Sequence, residues 1–185
     1  MKKTKYSALA LLAASMMFAG NDIGVVNMTK CIAESQVGQS EQASFEALKK
    51  QMTDLIKDVD DQLKEVAEKL QDEDYMDTLS PQAEKELKTK YQTLAQDIQR
   101  YQQQYYQAIQ QANMKLMQTV ASFVQEASKE LAKEKSFKNI ISNDACFYSD
   151  ENSDVTADVI QKMDSNYAKL QAKAAPQVAE AQAQK

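Results

Sequence analysis

The chain has no histidine and no tryptophan, and only three glycines, two prolines and two cysteines in 185 residues. Without histidine it lacks the commonest general base and the commonest metal ligand. Gly20, Gly24 and Gly38 are too scattered to build a phosphate-cradling loop. Cys31 and Cys146 cannot hold zinc without further ligands. Basic charge is also short. The net charge is −5, so no basic face is offered to phosphate, and nucleic acid is excluded as a natural partner. The clustered acids Asp58, Asp60 and Asp61, and Asp72 to Asp74, sit on a helix and at a turn, without the loop geometry of a calcium site. They read as solvated surface. These absences predict no catalytic residues, no metal and no cofactor, and argue against an enzyme.

What is present is a helix-forming stretch of unusual length. The 97 residues from Gln39 to Lys135 contain no glycine and one proline, Pro81, placed directly after Ser80. Serine at the N-cap followed by proline at the first helical position is a helix start, because proline lacks an N–H that would be orphaned there anyway. Two long helices joined by a tight turn near residues 76–81 are therefore expected. Phe45, Leu48, Met52, Leu55, Val59, Leu63, Val66 and Leu70 are spaced 3, 4, 3, 4, 4, 3, 4, a heptad seam with one extra step of four. The return helix repeats the pattern through Leu87, Tyr91, Leu94, Ile98, Tyr101 and Tyr105, and onward through Ala112, Leu116, Val120, Phe123, Ala127 and Leu131. At about 1.5 Å per residue the arms reach roughly 60 and 80 Å. Two helices sharing one stripe bury little, so oligomerisation is expected.

The first 20 residues read as a signal peptide, with Lys2, Lys3 and Lys5 ahead of an apolar run from Ala8 to Ala19 that is short for a membrane span, and cleavage after Ala19 or Gly20. No cysteine closely follows that run, which speaks against a lipoprotein anchor, so a soluble exported chain is expected. Removing the three lysines takes the net charge to −8, and the segment from Asp54 to Glu86, with twelve acids and four lysines, carries the same −8 by itself. The turn end of the hairpin is thus strongly acidic. In an oxidising compartment Cys31 and Cys146, one before the hairpin and one after, are a candidate disulfide; two small apolar core residues are the alternative.

The flanks have a different character. Residues 21–38 contain a strand at Asp22 to Met28, then a short helical turn, with Gly38 breaking it from the long helix. Residues 136–166 begin with two short apolar runs, NIIS and ACFY, separated by Asn143-Asp144, which reads as a β-hairpin. A capped helix follows with Val155, Val159, Ile160 and Met163 at helical spacing. From 167 to 185 the composition of Ala, Gln and Lys reads as a flexible tail.

An exported chain with a DIGVVNM-like first strand, a long coiled hairpin, a run ending in Ala-Cys-Phe-Tyr and then DVTADVI resembles the Skp/OmpH family of periplasmic chaperones. The resemblance spans roughly Asp22 to Met163 and is specific at Val25–Met28 and Asp154 to Ile160. It implies a mainly α fold with a small β body that trimerises, and helical hairpins hanging from it as tentacles around a cavity. Unfolded outer-membrane proteins would be held there without ATP. The body core would comprise Val25, Val26 and Met28 from the first flank, Ile140, Ile141, Phe147 and Tyr148 from the apolar runs, and Val155, Val159 and Ile160 from the last helix. Tyr101, Tyr105, Tyr106, Met114 and Met117 on the return arm are the candidate client contacts. The best-known members have basic tentacle tips that attract anionic lipid and lipopolysaccharide. The tip here is acidic, so no lipid- or lipopolysaccharide-binding residues carry over. A coiled-coil spacer or tether of the cell envelope is the rival reading; the Tyr and Met residues beside the seam favour client binding.

Overall fold

A computed structural model of the chain describes residues 23–183, with side chains described from 23 to 173. The signal-peptide segment lies outside the described residues. In order along the chain are strand β1 (Ile23–Val26), helix α1 (Met28–Glu34), the outgoing arm α2 (Gln36–Gln71), a short tip helix α3 (Glu73–Asp77), the return arm α4 (Pro81–Lys135), strand β2 (Asn139–Ser142) and helix α5 (Thr156–Ala183).

The arms form for the reasons their sequence implies. Ser80 caps α4 by accepting from the Ala83 N–H at 3.2 Å, with Pro81 in the first turn. Asp72 ends α2 and caps α3 by accepting from the Tyr75 N–H at 3.0 Å. Along the seam Val59, Val66 and Leu94 are buried, with Leu63, Leu70, Leu87, Ile98 and Tyr101 packed around them. Two seam positions differ from expectation. Leu55 is exposed and Ile56 half-buried, so the two consecutive steps of four run Leu48–Met52–Ile56, about two turns earlier than the spacing suggests. Tyr91 is also partly exposed, at 39%.

A second, larger core lies at the root of the arms. Val26, Cys31, Val37, Val120, Leu131 and Met163 are among its buried members, drawn from β1, α1, α2, α4 and α5. Fully burying side chains of this size contributes about 1.5–3 kcal/mol each. No single arm residue between Gly38 and Val59, or between Leu94 and Leu116, reaches that degree of burial, so the hairpin is held by two apolar clusters with a looser middle.

The flanks meet through the sheet, though differently from the hairpin expected. NIIS is a strand, β2, but its partner is β1, in parallel, with Ile23 opposite Asn139 and Val26 opposite Ser142. ACFY is not a strand: Asn143–Ala145 turns as a 3₁₀ helix, and a second 3₁₀ turn spans Glu151–Ser153. A two-residue hairpin loop needs left-handed backbone at its centre. Among the described non-glycine residues only Ser136 has positive φ, at 60°, where it ends α4. Asn143-Asp144 instead continues in a right-handed turn, with the Asp144 N–H bonded to Ser142 Oγ at 3.3 Å. On β1's other side the Val155 N–H donates to the Val25 carbonyl at 2.9 Å.

Two further expectations shift. The break before the arm is Ser35, not Gly38. Ser35 is the N-cap of α2, its hydroxyl accepting from the Gly38 N–H at 3.0 Å and donating to the Cys31 carbonyl at 2.6 Å. Gly38 lies inside the first turn of α2 and has no room for a side chain, because α1 doubles back against it: a Cβ there would lie 2.2 Å from the Ile32 carbonyl oxygen and 2.8 Å from its Cα. Likewise α5 runs unbroken through residue 167, where the composition suggested a tail. Tyr167 packs edge-on against Phe123, ring centroids 5.9 Å apart. Val159, Met163 and Tyr167, spaced by four, already carried that signal.

Alanine at Gly38 would gain helix propensity of about 1 kcal/mol but collide with backbone that no rotamer can move. A Gly38→Ala chain is expected to lose about 1–3 kcal/mol of stability, read as a lower urea midpoint; an unchanged or higher midpoint would contradict the close α1–α2 approach.

Candidate functional site

The residues that position the arms converge at the root. Asn27 accepts from the Lys30 N–H at 3.0 Å, capping α1, while its own N–H donates to Thr156 Oγ1 at 2.9 Å. Thr156 hydrogen-bonds onward to Asp154, whose carboxylate also accepts from the Thr156 N–H at 2.8 Å. These bonds hold the Asp154 carboxyl below its ordinary pKa. Asp164 of α5 accepts from the Gln36 N–H at 2.8 Å and so occupies the start of α2. Along α4, Lys135–Asp158 and Glu134–Lys162 pair at 2.6 Å each, and Asn166 donates to Glu130 at 3.1 Å. The start of α2 and the end of α4 are therefore both tied to α5.

The ten residues expected in the body core separate into three groups. Val25, Val26, Val155 and Val159 are buried within the single chain. Met28, Ile140, Ile141 and Ile160 are half-buried, and the first three, with Val26, Ala121 and Val124, line an open groove of about 430 Å³ between the sheet and α4. Phe147 and Tyr148 lie on the surface, fully and largely exposed. The parallel strand pairing explains this: with no second hairpin strand, ACFY has nothing in its own chain to pack on.

The two thiols are free. Cys31 sits in the root core, and burial, followed by the negative charges of Glu34 and Asp154, pushes its pKa up to about 11. Cys146 lies just after the first 3₁₀ turn, its thiol donating to the Ser142 carbonyl at 3.9 Å. Within the single chain the two thiols are not bridged, and Cys31 takes a buried place in the root core.

On the return arm the five candidate contact residues are not equivalent. Tyr101 packs on the distal arm cluster with Arg100 stacked 5.1 Å above its ring, and Tyr105 is half-buried. Tyr106, Met114 and Met117 face solvent, 72%, 50% and 42% exposed. Tyr106 meets Tyr105 edge-to-face at 5.7 Å. Among the described residues no three Cys, Asp or Glu side chains group as a metal site requires, and no helix is long and apolar enough to cross a membrane.

The sequence that builds this architecture matches one protein family. The sequence model of that family, outer membrane protein (OmpH-like), matches residues 22–163. The chain belongs to the OmpH-like family. Among its relatives, a Skp-like protein of Chlamydia muridarum (strain MoPn / Nigg) is 36% identical over 170 residues, covering 90% of this chain and 98% of the relative. A Skp-like protein of Chlamydia pneumoniae is 32% identical over 169 residues, covering 91% and 99%. A crystal structure of an OmpH-like protein of Caulobacter crescentus CB15, assigned as an outer membrane chaperone, superposes with a TM-score of 0.67 over 90% of both chains at 15% identity. At that identity the likeness concerns the fold, and the OmpH-like fold is what the arms and body display. The family match ends at Met163, whereas α5 continues to Ala183.

Two outcomes test the root. At pH 8 a thiol with a pKa near 11 is thiolate in only about one molecule in a thousand. Native protein should thus present one reactive thiol, Cys146, to an alkylating reagent, and two after denaturation; rapid native labelling of Cys31 would contradict its burial. For Asp154, the sign follows from its depressed folded-state pKa. Its stabilisation is complete above the ordinary carboxylate pKa of about 4 and disappears as pH falls through the lower native value. Stability measured from pH 6 to pH 2 should therefore fall less steeply for Asp154→Asn than for the parent chain.

Proposed function

We propose that this OmpH-like chain is an ATP-independent holdase chaperone of the periplasm. It keeps unfolded outer-membrane proteins from aggregating by holding them between helical arms. The supporting observation is the mismatch between its length and its burial. The chain extends two arms of 36 and 55 residues yet leaves Tyr106, Met114 and Met117 uncovered on one of them. A pure spacer gains nothing from exposed thioethers and phenols, which are the side chains that adapt to varied apolar partners.

The working form is a homotrimer joined through the body. Its support is what the single chain leaves unfinished: the fully exposed Phe147, the largely exposed Tyr148 and the open groove beside Ile140 and Ile141. A neighbouring copy would cover these apolar groups together. The amino-terminal segment acts as the export signal. Acidic arm tips disfavour anionic lipid and lipopolysaccharide and steer basic client segments instead, an attraction that weakens with salt.

The test is direct. Protein freed of its first 20 residues should have three times the mass of one chain in solution. It should suppress aggregation of a urea-unfolded outer-membrane β-barrel at stoichiometric ratio without nucleotide. Absence of suppression at every salt concentration would refute the holdase reading, and a monomer would refute the trimer.

A further inference from the structure

The arm is not electrically uniform. From Tyr101 to Gln125, α4 runs 25 residues with a single charged side chain, Lys115. That lysine reaches Glu41 of α2 at 4.0 Å, so its charge is directed at the neighbouring helix. The α2 segment running beside this stretch carries Glu41, Glu46, Lys49, Lys50, Asp54 and Lys57, several of them in ion pairs such as Lys50–Asp54 at 2.5 Å. One helix of the arm is thus dressed for water along its exposed surface, and the other is not.

The uncharged helix has a further order. Tyr106, Gln110, Met114, Met117, Ala121 and Val124 are spaced 4, 4, 3, 4, 3, which puts them on one face of a helix. All but Val124 are exposed or half-exposed at the surface, and none belongs to the buried seam with α2. Ala121 and Val124 already line the body groove beside Ile140 and Ile141, and Ser128 and Ala132 extend the same wall. The stripe therefore runs uncharged from the middle of the arm to the edge of the body groove, where Lys129 also lines the wall, over about 27 Å from Tyr106 to Val124 at about 1.5 Å per residue.

We propose that this face of α4, and not α2, is the binding surface of the arm, and that its occupant is an extended segment of unfolded polypeptide with apolar, aromatic or neutral polar side chains. This rests on the chaperone reading above and specifies where and how the client is held. The chemistry favours an extended chain over another helix. The apolar positions are interrupted by Gln103, Gln107 and Gln110, so the stripe lacks the a/d continuity that a further coiled-coil partner requires. Glutamine amides both donate and accept, as do the unpaired backbone groups of an extended chain, while Tyr and Met supply adaptable apolar contact. With no charge on the stripe, a passing segment strips no ion of its water. Such a surface holds many sequences and releases them readily.

The test compares equal charge placed on the two helices. Tyr106→Glu, Met114→Glu and Met117→Glu are combined in one variant; Ala43→Glu, Ala47→Glu and Gln51→Glu, at exposed positions of α2, form the control. Affinity for a urea-unfolded outer-membrane β-barrel is measured by fluorescence, with native mass and helicity checked for each protein. The α4 variant should bind at least tenfold more weakly than the parent, and the α2 variant within threefold of it. A smaller loss on α4, or a loss on α2 of the same size, overturns the assignment while leaving the chaperone reading intact; a parent chain that fails to bind at all overturns that reading instead. Should the α4 variant change its mass, a photoreactive benzophenone amino acid at Gln110 against one at Ala47 decides: cross-linking to the β-barrel is expected from position 110, and cross-linking chiefly from 47 overturns the proposal.

Discussion

Pairing two helices along one stripe leaves most of each facing water, and the parallel ladder between β1 and β2 anchors the open end of that pairing. Ile23 to Val26 and Asn139 to Ser142 lie on either side of the whole hairpin in sequence. Their register brings the start of α2 and the end of α4 to the same place. Closing so long a loop costs entropy that grows only slowly with its length. The root core offsets that cost locally, with Val26, Val120, Leu131 and Met163 sealed together. Asp164 and Thr156 then fasten the chain on either side of α1 to α5. The direction in which the arms leave the body follows from these few contacts.

Stability is accordingly graded along the molecule. The root combines the larger apolar core with long-range hydrogen bonds, the distal arm has a smaller cluster around Val59, Val66 and Leu94, and the section between has no fully buried side chain. Ion pairs along α2, such as Lys64–Asp60 and Lys69–Glu65 at 2.6 Å, are exposed i,i+4 contacts worth only a few tenths of a kcal/mol each. They support helicity without holding the helices together. Local opening is easier where apolar burial is less, and the middle section that presents the uncharged face of α4 is less buried than the root. A surface that must accept irregular partners thus sits on a part of the fold better able to adjust than the root.

The acidic tip completes the division of labour. Twelve acids against four lysines between Asp54 and Glu86 keep the far end solvated, whereas Tyr101 to Gln125 is nearly free of charge. The charge pattern and the packing pattern thus agree in separating a polar end, an uncharged middle and an apolar root.

Much of this was legible from residues alone, because its causes are local. Ser80-Pro81 marks a helix start wherever it occurs, a 3-4 spacing of apolar residues defines a face, and the missing glycines leave the arms nothing to break them. The flanking motifs carried the family. What sequence reasoning missed depended on partners distant in the chain. NIIS has the composition of a strand, but only the fold supplies β1 as its parallel neighbour and leaves Phe147 and Tyr148 uncovered. Gly38 looks like a breaker until α1 folds back and places the Ile32 carbonyl where a side chain would be. Tyr167 looked like the start of a tail until Phe123 stood beside it. The sequence by itself determined that the chain forms two long paired helices with an acidic end. Only the tertiary structure decided which helix turns an uncharged stripe outward and joins it to the body groove, because helical spacing defines faces but not which of them another element covers.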